Sequence, residues 1–110
     1  MEYSERYEND IPVLQPSGRL DASSSSEFKQ KVLSLAAGPA KKVVLDLSKL
    51  TFIDSSGLGS MVSLLRTLSK KGGDIRLAAL ASQVQSLFEL TRLHRVFEIY
   101  SSVEDALQDF

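Results

Sequence analysis

Val43-Val44-Leu45-Asp46-Leu47-Ser48-Lys49-Leu50-Thr51-Phe52-Ile53-Asp54-Ser55-Ser56-Gly57-Leu58-Gly59 is the stretch whose reading decides the fold. It opens with an apolar run, Val43 to Leu47, of the kind that forms a strand covered on both faces in a parallel sheet. It closes on a polar turn, Asp54-Ser55-Ser56-Gly57, that leads into a helix. Leu58, Met61, Val62 and Leu65 follow the i, i+3, i+4, i+7 spacing of a helix face, and Leu68 extends the stripe. Asp and Ser suit a helix start, because their side-chain oxygens accept hydrogen bonds from backbone N–H groups that have no partner inside the helix. The same free N–H groups and the positive end of the helix dipole favour an anion. The turn is therefore the first candidate for a functional site.

Upstream of this stretch, residues Tyr3 to about Leu20 read as extended, with Asn9-Asp10 as a turn between two short strands. The second of these spans Ile11 to about Gln15. Pro12 and Pro16 cannot donate to a ladder, which predicts an edge or irregular strand. Ser17 to Asp21 reads as a loop. A helix follows, opened by the capping-box pattern Ser24-x-x-Glu27, with Phe28, Val32, Leu35 and Ala36 on its apolar face and Gly38-Pro39 as its stop. Downstream, Lys70-Lys71 and Gly72-Gly73 end the second helix. Ile75, Leu77 and Ala79 mark the next strand. Ser82-x-x-Gln85 opens a short helix with Val84, Leu87 and Phe88 on one face. Phe97 to Tyr100 forms a last short strand, and Ser101-x-x-Glu104 opens a final helix carrying Val103, Ala106, Leu107 and Phe110. Strands followed by alternating helix and strand predict an α/β fold. The expected sheet is mixed but mostly parallel, of four to five strands with about four helices and an antiparallel N-terminal hairpin. In open sheets of this kind, sites collect where strands end and helices begin. That points to Asp54–Gly57 and to the neighbouring Gly18–Ser24 loop.

At 110 residues the chain suits one domain, expected to span residues 1–110. There is no cysteine, so neither thiol chemistry nor a disulfide framework is available. Thirteen basic residues stand against 14 acidic ones, interspersed, so no basic block suggests nucleic acid as a partner. No apolar run approaches the ~20 residues needed to span a bilayer, and Met1-Glu2-Tyr3-Ser4-Glu5-Arg6 has none of the features of a signal peptide. The expected location is the cytoplasm, away from membranes.

The string Val44-Leu45-Asp46-Leu47 … Phe52-Ile53-Asp54-Ser55-Ser56-Gly57-Leu58-Gly59 resembles the signature of bacterial anti-sigma factor antagonists, the STAS-domain family. Gly18-Arg19-Leu20-Asp21 resembles the family's Gly-x-Leu-Asp loop, and Lys71-Gly72-Gly73 its glycine pair before the following strand. Leu87-Phe88-Glu89-Leu90-Thr91-Arg92-Leu93 resembles the segment after the short third helix, with Arg92 where Gly is common. The resemblance covers roughly Ile11 to Leu107. It implies a partner-switching protein that competes with a sigma factor for an anti-sigma factor, itself often a serine kinase. Such a kinase phosphorylates the first Ser of Asp-Ser-Ser-Gly, here Ser55, which weakens binding, and a serine phosphatase restores it. The resemblance further implies that Asp21, Asp54, Ser56, Gly57, Leu58, Gly59 and Leu87 lie at or near the partner surface. Phosphate adds about −1.5 to −2 charge, which a helix N-terminus tolerates. The cost would fall on docking against an acidic partner patch, with no refolding required.

Each of these residues also has a plainer reading. Ser55 can be an N-cap, Ser56 an alternative acceptor, Asp54 a cap or turn residue, and Asp21 a cap of its loop. Gly57 and Gly59 can be packing room, and Leu58 and Leu87 core. Enzyme readings find little support. His94 is the one histidine, no Gly-x-Ser-x-Gly elbow surrounds the serines, and neither a phosphate-binding glycine loop nor metal-ligand spacing occurs. A receiver-like domain would need an acidic pair after its first strand, where only Glu8 and Asp10 flank a turn. No cofactor or metal is expected. The reading is a phosphorylatable antagonist that is a kinase substrate rather than an enzyme. The alternatives are a non-switching STAS scaffold or accessory subunit, and a small enzyme or receiver-like domain.

Overall fold

A computed structural model describes residues 1–110. The chain begins with a hairpin of β1 (Glu2–Glu8) and β2 (Ile11–Leu20), in antiparallel register from Glu2↔Ser17 to Glu8↔Ile11. Asn9 and Asp10 both take positive φ, 53° and 64°, as a two-residue turn matched to the right-handed strand twist demands. After α1 (Ser25–Leu35), β3 (Lys42–Asp46) runs parallel to the first half of β2, pairing Val13 with Val44 and Leu14 with Leu45. β4 (Leu50–Ile53) then runs parallel to the second half, pairing Gly18 with Leu50, Arg19 with Phe52 and Leu20 with Ile53. The register shifts between Gly18 and Arg19, and Gly18 supplies the φ of +106° that the irregularity requires. α2 (Ser55–Lys70), β5 (Asp74–Ala78), α3 (Ser82–Leu90), a 3₁₀ turn at Leu93–Arg95, β6 (Glu98–Tyr100) and α4 (Val103–Leu107) complete the chain. The sheet order is β1-β2-β3-β5-β6 with β4 attached to β2, and every pairing is parallel except β1 with β2.

The architecture is the expected mixed, mostly parallel α/β sheet with four helices. It has six strands rather than four or five. The additional one is β4, which the sequence hides in four residues directly before the polar turn. β2 is irregular, as expected, with its register shift at Gly18/Arg19, but it is not an edge strand. It is ten residues long and interior, with β1, β3 and β4 all paired to it, despite Pro12 and Pro16. The prolines lie an even number of residues apart, so both missing N–H groups fall on one side of the strand. Pro16 falls where the parallel ladder is interrupted, from Gln15 to Ser17, and Pro12 just before that ladder begins at Val13.

Successive residues of β2, β3 and β5 enter opposite faces of the sheet. Leu14, Val43, Leu45, Ile75 and Leu77 join a 19-residue core with Phe28 and Val32 of α1, Met61, Leu64 and Leu68 of α2, and Val84 and Phe88 of α3. Ile11, Val13, Val44 and Ala78 meet Ala106 of α4 in a separate small cluster. The buried stripe of α2 is Leu58, Met61, Leu64 and Leu68, while Val62 and Leu65 are only partly covered, so the helix is rotated slightly from the predicted face. The helix starts differ from their predicted boxes. Ser24 does stand at the N-cap of α1, but its hydroxyl makes no capping bond and donates instead to the Arg19 carbonyl at 2.8 Å. Ser82 is inside α3, whose N-cap is Ala81. The final helix is capped one residue later than predicted, by Ser102, which accepts from the Asp105 N–H at 3.1 Å.

Two features of the fold carry expected outcomes. α3 ends with Arg92 in the left-handed region at φ 62°, a conformation that costs a side chain with a Cβ about 1 kcal/mol or more. Arg92→Gly should therefore raise stability by roughly 0.5–1 kcal/mol in urea titration, the gain reduced by the looser unfolded chain. On β1, the Tyr3 hydroxyl is buried without a hydrogen-bond partner. Burial, together with the nearby charge of Glu27, pushes its pKa from 10.0 up to about 12. The neutral phenol is favoured in the folded chain, so its contribution is complete below pH 10.0 and is lost as pH rises toward about 12. Tyr3→Phe should be neutral or stabilising by up to about 1 kcal/mol at neutral pH. The variant should also unfold less readily than the wild type in alkali, measured by urea midpoints across that window.

Candidate functional site

β2 and β4 run side by side and end together at the pair Leu20↔Ile53. Asp21 and Asp54 are the next residues on each strand, so two acidic side chains leave one sheet edge from adjacent positions. The Asp54 N–H donates to the Leu20 carbonyl at 3.2 Å and ties the two turns together. Asp54 is extended (φ −111°, ψ −172°), and its Oδ1 accepts the Gly57 N–H at 3.0 Å, which makes it the N-cap of α2. The first helical bond runs from the Leu58 N–H to the Asp54 carbonyl at 2.9 Å. Ser55 and Ser56 occupy the first two helical positions and are exposed. Ser55 is therefore not the cap. Its hydroxyl is open at the positive end of a 16-residue helix whose cap is the neighbouring carboxylate.

The two glycines differ. Gly57 is buried against the end of β2, and a Cβ there would lie 2.5 Å from the Leu20 carbonyl oxygen and 2.8 Å from Ile53 Cγ1. Gly59 is exposed and a Cβ would meet nothing within 4 Å. Gly57 is thus needed for the close approach of helix to strand. Leu58 is 9% exposed and packs into the core, so its side chain is structural and only its backbone lies near the serines.

The Asp21 turn is built from its own hydrogen bonds. Asp21 Oδ1 accepts from the Ser23 hydroxyl at 2.7 Å and the Ser23 N–H at 3.0 Å, and the Asp21 N–H donates to Ser24 Oγ at 3.0 Å. Arg19 Nε lies 3.7 Å from Asp21 Oδ2. These bonds, first that from the Ser23 hydroxyl, with the Arg19 charge adding to them, hold the Asp21 carboxyl below the usual carboxylate range despite an opposing burial effect. The Arg19 guanidinium also sits 3.9 Å from the Phe52 ring centroid. Arg19 and Phe52 were not singled out from sequence. Only the β2–β4 pairing brings them together, and β4 is the strand the sequence hides.

α3 packs beside β4. Leu87 is half-buried and borders an open groove of about 290 Å³ with Thr51, Phe52, Ile53, Gln83 and Val84. The Gln83 amide reaches the Thr51 carbonyl at 3.4 Å. The groove therefore adjoins the strand that delivers Asp54. His94 is exposed on the 3₁₀ turn, with Nδ1 3.3 Å from the Phe88 carbonyl oxygen. No group of three or more His, Asp or Glu side chains converges to hold a metal. No helix is long and apolar enough to cross a membrane.

The profile of the STAS domain family matches residues 4–106. An anti-sigma-B factor antagonist of Bacillus subtilis is 31% identical over 101 residues, spanning 92% of this chain and 91% of that protein. The chain belongs to the STAS domain family of anti-sigma factor antagonists. The solved structure of a Thermotoga maritima protein described as an anti-sigma factor antagonist superposes on this STAS domain with a TM-score of 0.88. It is 28% identical, over 97% of this chain and 92% of that one. The Bacillus cell fate determinant SpoIIAA in its phosphorylated form shares the fold, with a TM-score of 0.71 and 19% identity over 96% of each chain. In this STAS domain the string Asp54-Ser55-Ser56-Gly57 is the cap and first turn of α2, and the Leu20-Asp21 loop lies beside it through the Asp54–Leu20 bond.

Proposed function

We propose that this STAS domain binds a kinase-type anti-sigma factor through the surface formed by Asp21, Asp54 and the first turn of α2, and that phosphorylation of Ser55 releases it. The observation that carries the reading is the exposed Ser55 hydroxyl at the start of α2, beside a cap supplied by Asp54 rather than by Ser55 itself. A hydroxyl that makes no capping bond can accept a phosphoryl group without undoing the helix start. The added charge sits near two carboxylates that are already tied into turns. It therefore changes the surface a partner meets and leaves the fold intact. Leu87 and its groove extend this surface from β4 to α3. The chain supplies no catalytic base in this scheme. It is a substrate of the partner kinase, and a serine phosphatase returns it to the binding form. Names of relatives support the antagonist role, and SpoIIAA is a protein of the same fold with a phosphorylated form.

The test is intact-mass spectrometry of the protein incubated with ATP and kinase-type anti-sigma factors encoded in the same genome, followed by site mapping. One added phosphate on Ser55, absent in Ser55→Ala, is the expected result, with Ser55→Ala still folded and still bound. Stable binding without phosphorylation would replace the switch by a constitutive antagonist or scaffold. Phosphate on Ser56 alone would move the acceptor by one position.

A further inference from the structure

The two faces of the sheet are covered very unequally. Three helices cover the larger core, whereas Ile11, Val13, Val44 and Ala78 are covered by Ala106 of the five-residue α4, with Val103, Leu107, Phe110 and Tyr100 partly buried against them. A helix of that length has no stability of its own. Its hold on the sheet is therefore identifiable. Arg76 alternates with Ile75 and Leu77 along β5 and so faces α4. Its Nη1 donates to the Ala106 carbonyl at 3.0 Å and to the Gln108 carbonyl at 2.8 Å, groups at a helix C-terminus that otherwise lack partners. Asp109 takes a positive φ of 56°, turning the chain so that Phe110 lies back over the guanidinium at 4.3 Å. Tyr100 faces the same guanidinium at 5.2 Å, and Lys42 Nζ lies 5.3 Å from the Phe110 ring. No carboxylate pairs with Arg76 within ion-pair distance, so its partners are the carbonyls and rings of the segment it holds. Its Nε is buried without a partner, so the contact is not fully satisfied even when closed.

We propose that residues 103–110 form a strap that Arg76 latches to the sheet. The strap opens as a unit about the Ser101-Ser102 bend while the three-helix face and the Ser55 turn stay folded. The two clusters share no residue, and Arg76 supplies the side-chain hydrogen bonds that tie strand to strap. Opening uncovers the small apolar face of Ile11, Val13, Val44 and Ala78. The domain thus has a second surface that can be exposed independently of the phosphorylation site.

Native-state hydrogen exchange of the full chain by NMR tests this, using the wild type, Arg76→Gln and Phe110→Ala. The strap amides of Ala106 and Gln108, bonded to the Ser102 and Asp105 carbonyls, should be protected in the wild type but less than Leu64 and Leu68 in α2. Arg76→Gln should lower strap protection by about tenfold and leave the protection of the α2 amides unchanged. Phe110→Ala should shift the same amides in the same direction by a smaller factor. Strap and α2 amides exchanging at one common opening free energy, with both sets falling in parallel in the variants, would overturn the proposal. Strap protection unchanged in both variants would overturn the latch. If Arg76→Gln does not fold, Phe110→Ala alone decides between a local and a global effect.

Discussion

Gly57→Ala should destabilise the protein by about 3 kcal/mol, which for a chain of 110 residues lowers the melting temperature by roughly 10–20 °C. The added methyl would sit 2.5 Å from the Leu20 carbonyl oxygen and 2.9 Å from Leu20 Cγ. Neither contact yields easily. The carbonyl belongs to the β2 backbone and accepts the Asp54 N–H, and the Leu20 side chain is fully buried. Relief would require the start of α2 to lift off the sheet, separating the two turns that form the proposed site. The control is Gly59→Ala, two residues on in the same helix, where nothing lies within 4 Å of the new methyl. There the better helix propensity of Ala should stabilise by roughly 0.5–1 kcal/mol. Urea unfolding of the pair measures both signs. Equal effects at the two positions would mean that the close approach at Gly57 does not matter.

Ser55→Asp should weaken binding to the anti-sigma factor by roughly 10- to 100-fold, with unfolding free energy changed by no more than about 0.5 kcal/mol. The asymmetry follows from position. A negative charge in the first turn of α2 is favourable for the helix dipole, so the fold accepts it. The same charge beside Asp54 and Asp21 must be desolvated and brought against the partner when the complex forms. Part of the loss should disappear at high salt, which screens exposed charges. Ser55→Ala, measured alongside by calorimetry, should bind like the wild type. An unchanged dissociation constant in Ser55→Asp would remove charge as the basis of the switch.

What the sequence reveals here depends on how local each determinant is. The Val43–Leu47 strand, the hairpin turn at Asn9-Asp10 and the helix after Asp54 are written in adjacent residues, and all are found. β4 is not, because four residues wedged between a loop and a cap carry too little pattern, and its identity as a strand depends on β2. Pro12 and Pro16 point to an irregular strand, which β2 is, but not to its interior place, because whether a missing N–H matters depends on where the neighbouring ladder starts and breaks. The Ser-x-x-Glu/Gln boxes mislead because hydroxyls have several bonding choices. Ser24 takes the Arg19 carbonyl, a partner set by the tertiary path of β2. At the site, Asp54 as a cap was readable, whereas the difference between Gly57 and Gly59 was not. It is decided by Leu20, a residue 37 positions away from Gly57.

The exposed placement of Ser55 has a kinetic consequence. Under the proposed switch, a modifying enzyme would reach the exposed hydroxyl in the folded molecule, so no opening equilibrium would precede the encounter. The rate of modification should then be set by collision and docking and be indifferent to how stable the substrate is. A more stable variant such as Arg92→Gly would live longer without responding more slowly. Durability and responsiveness can therefore vary independently in this chain.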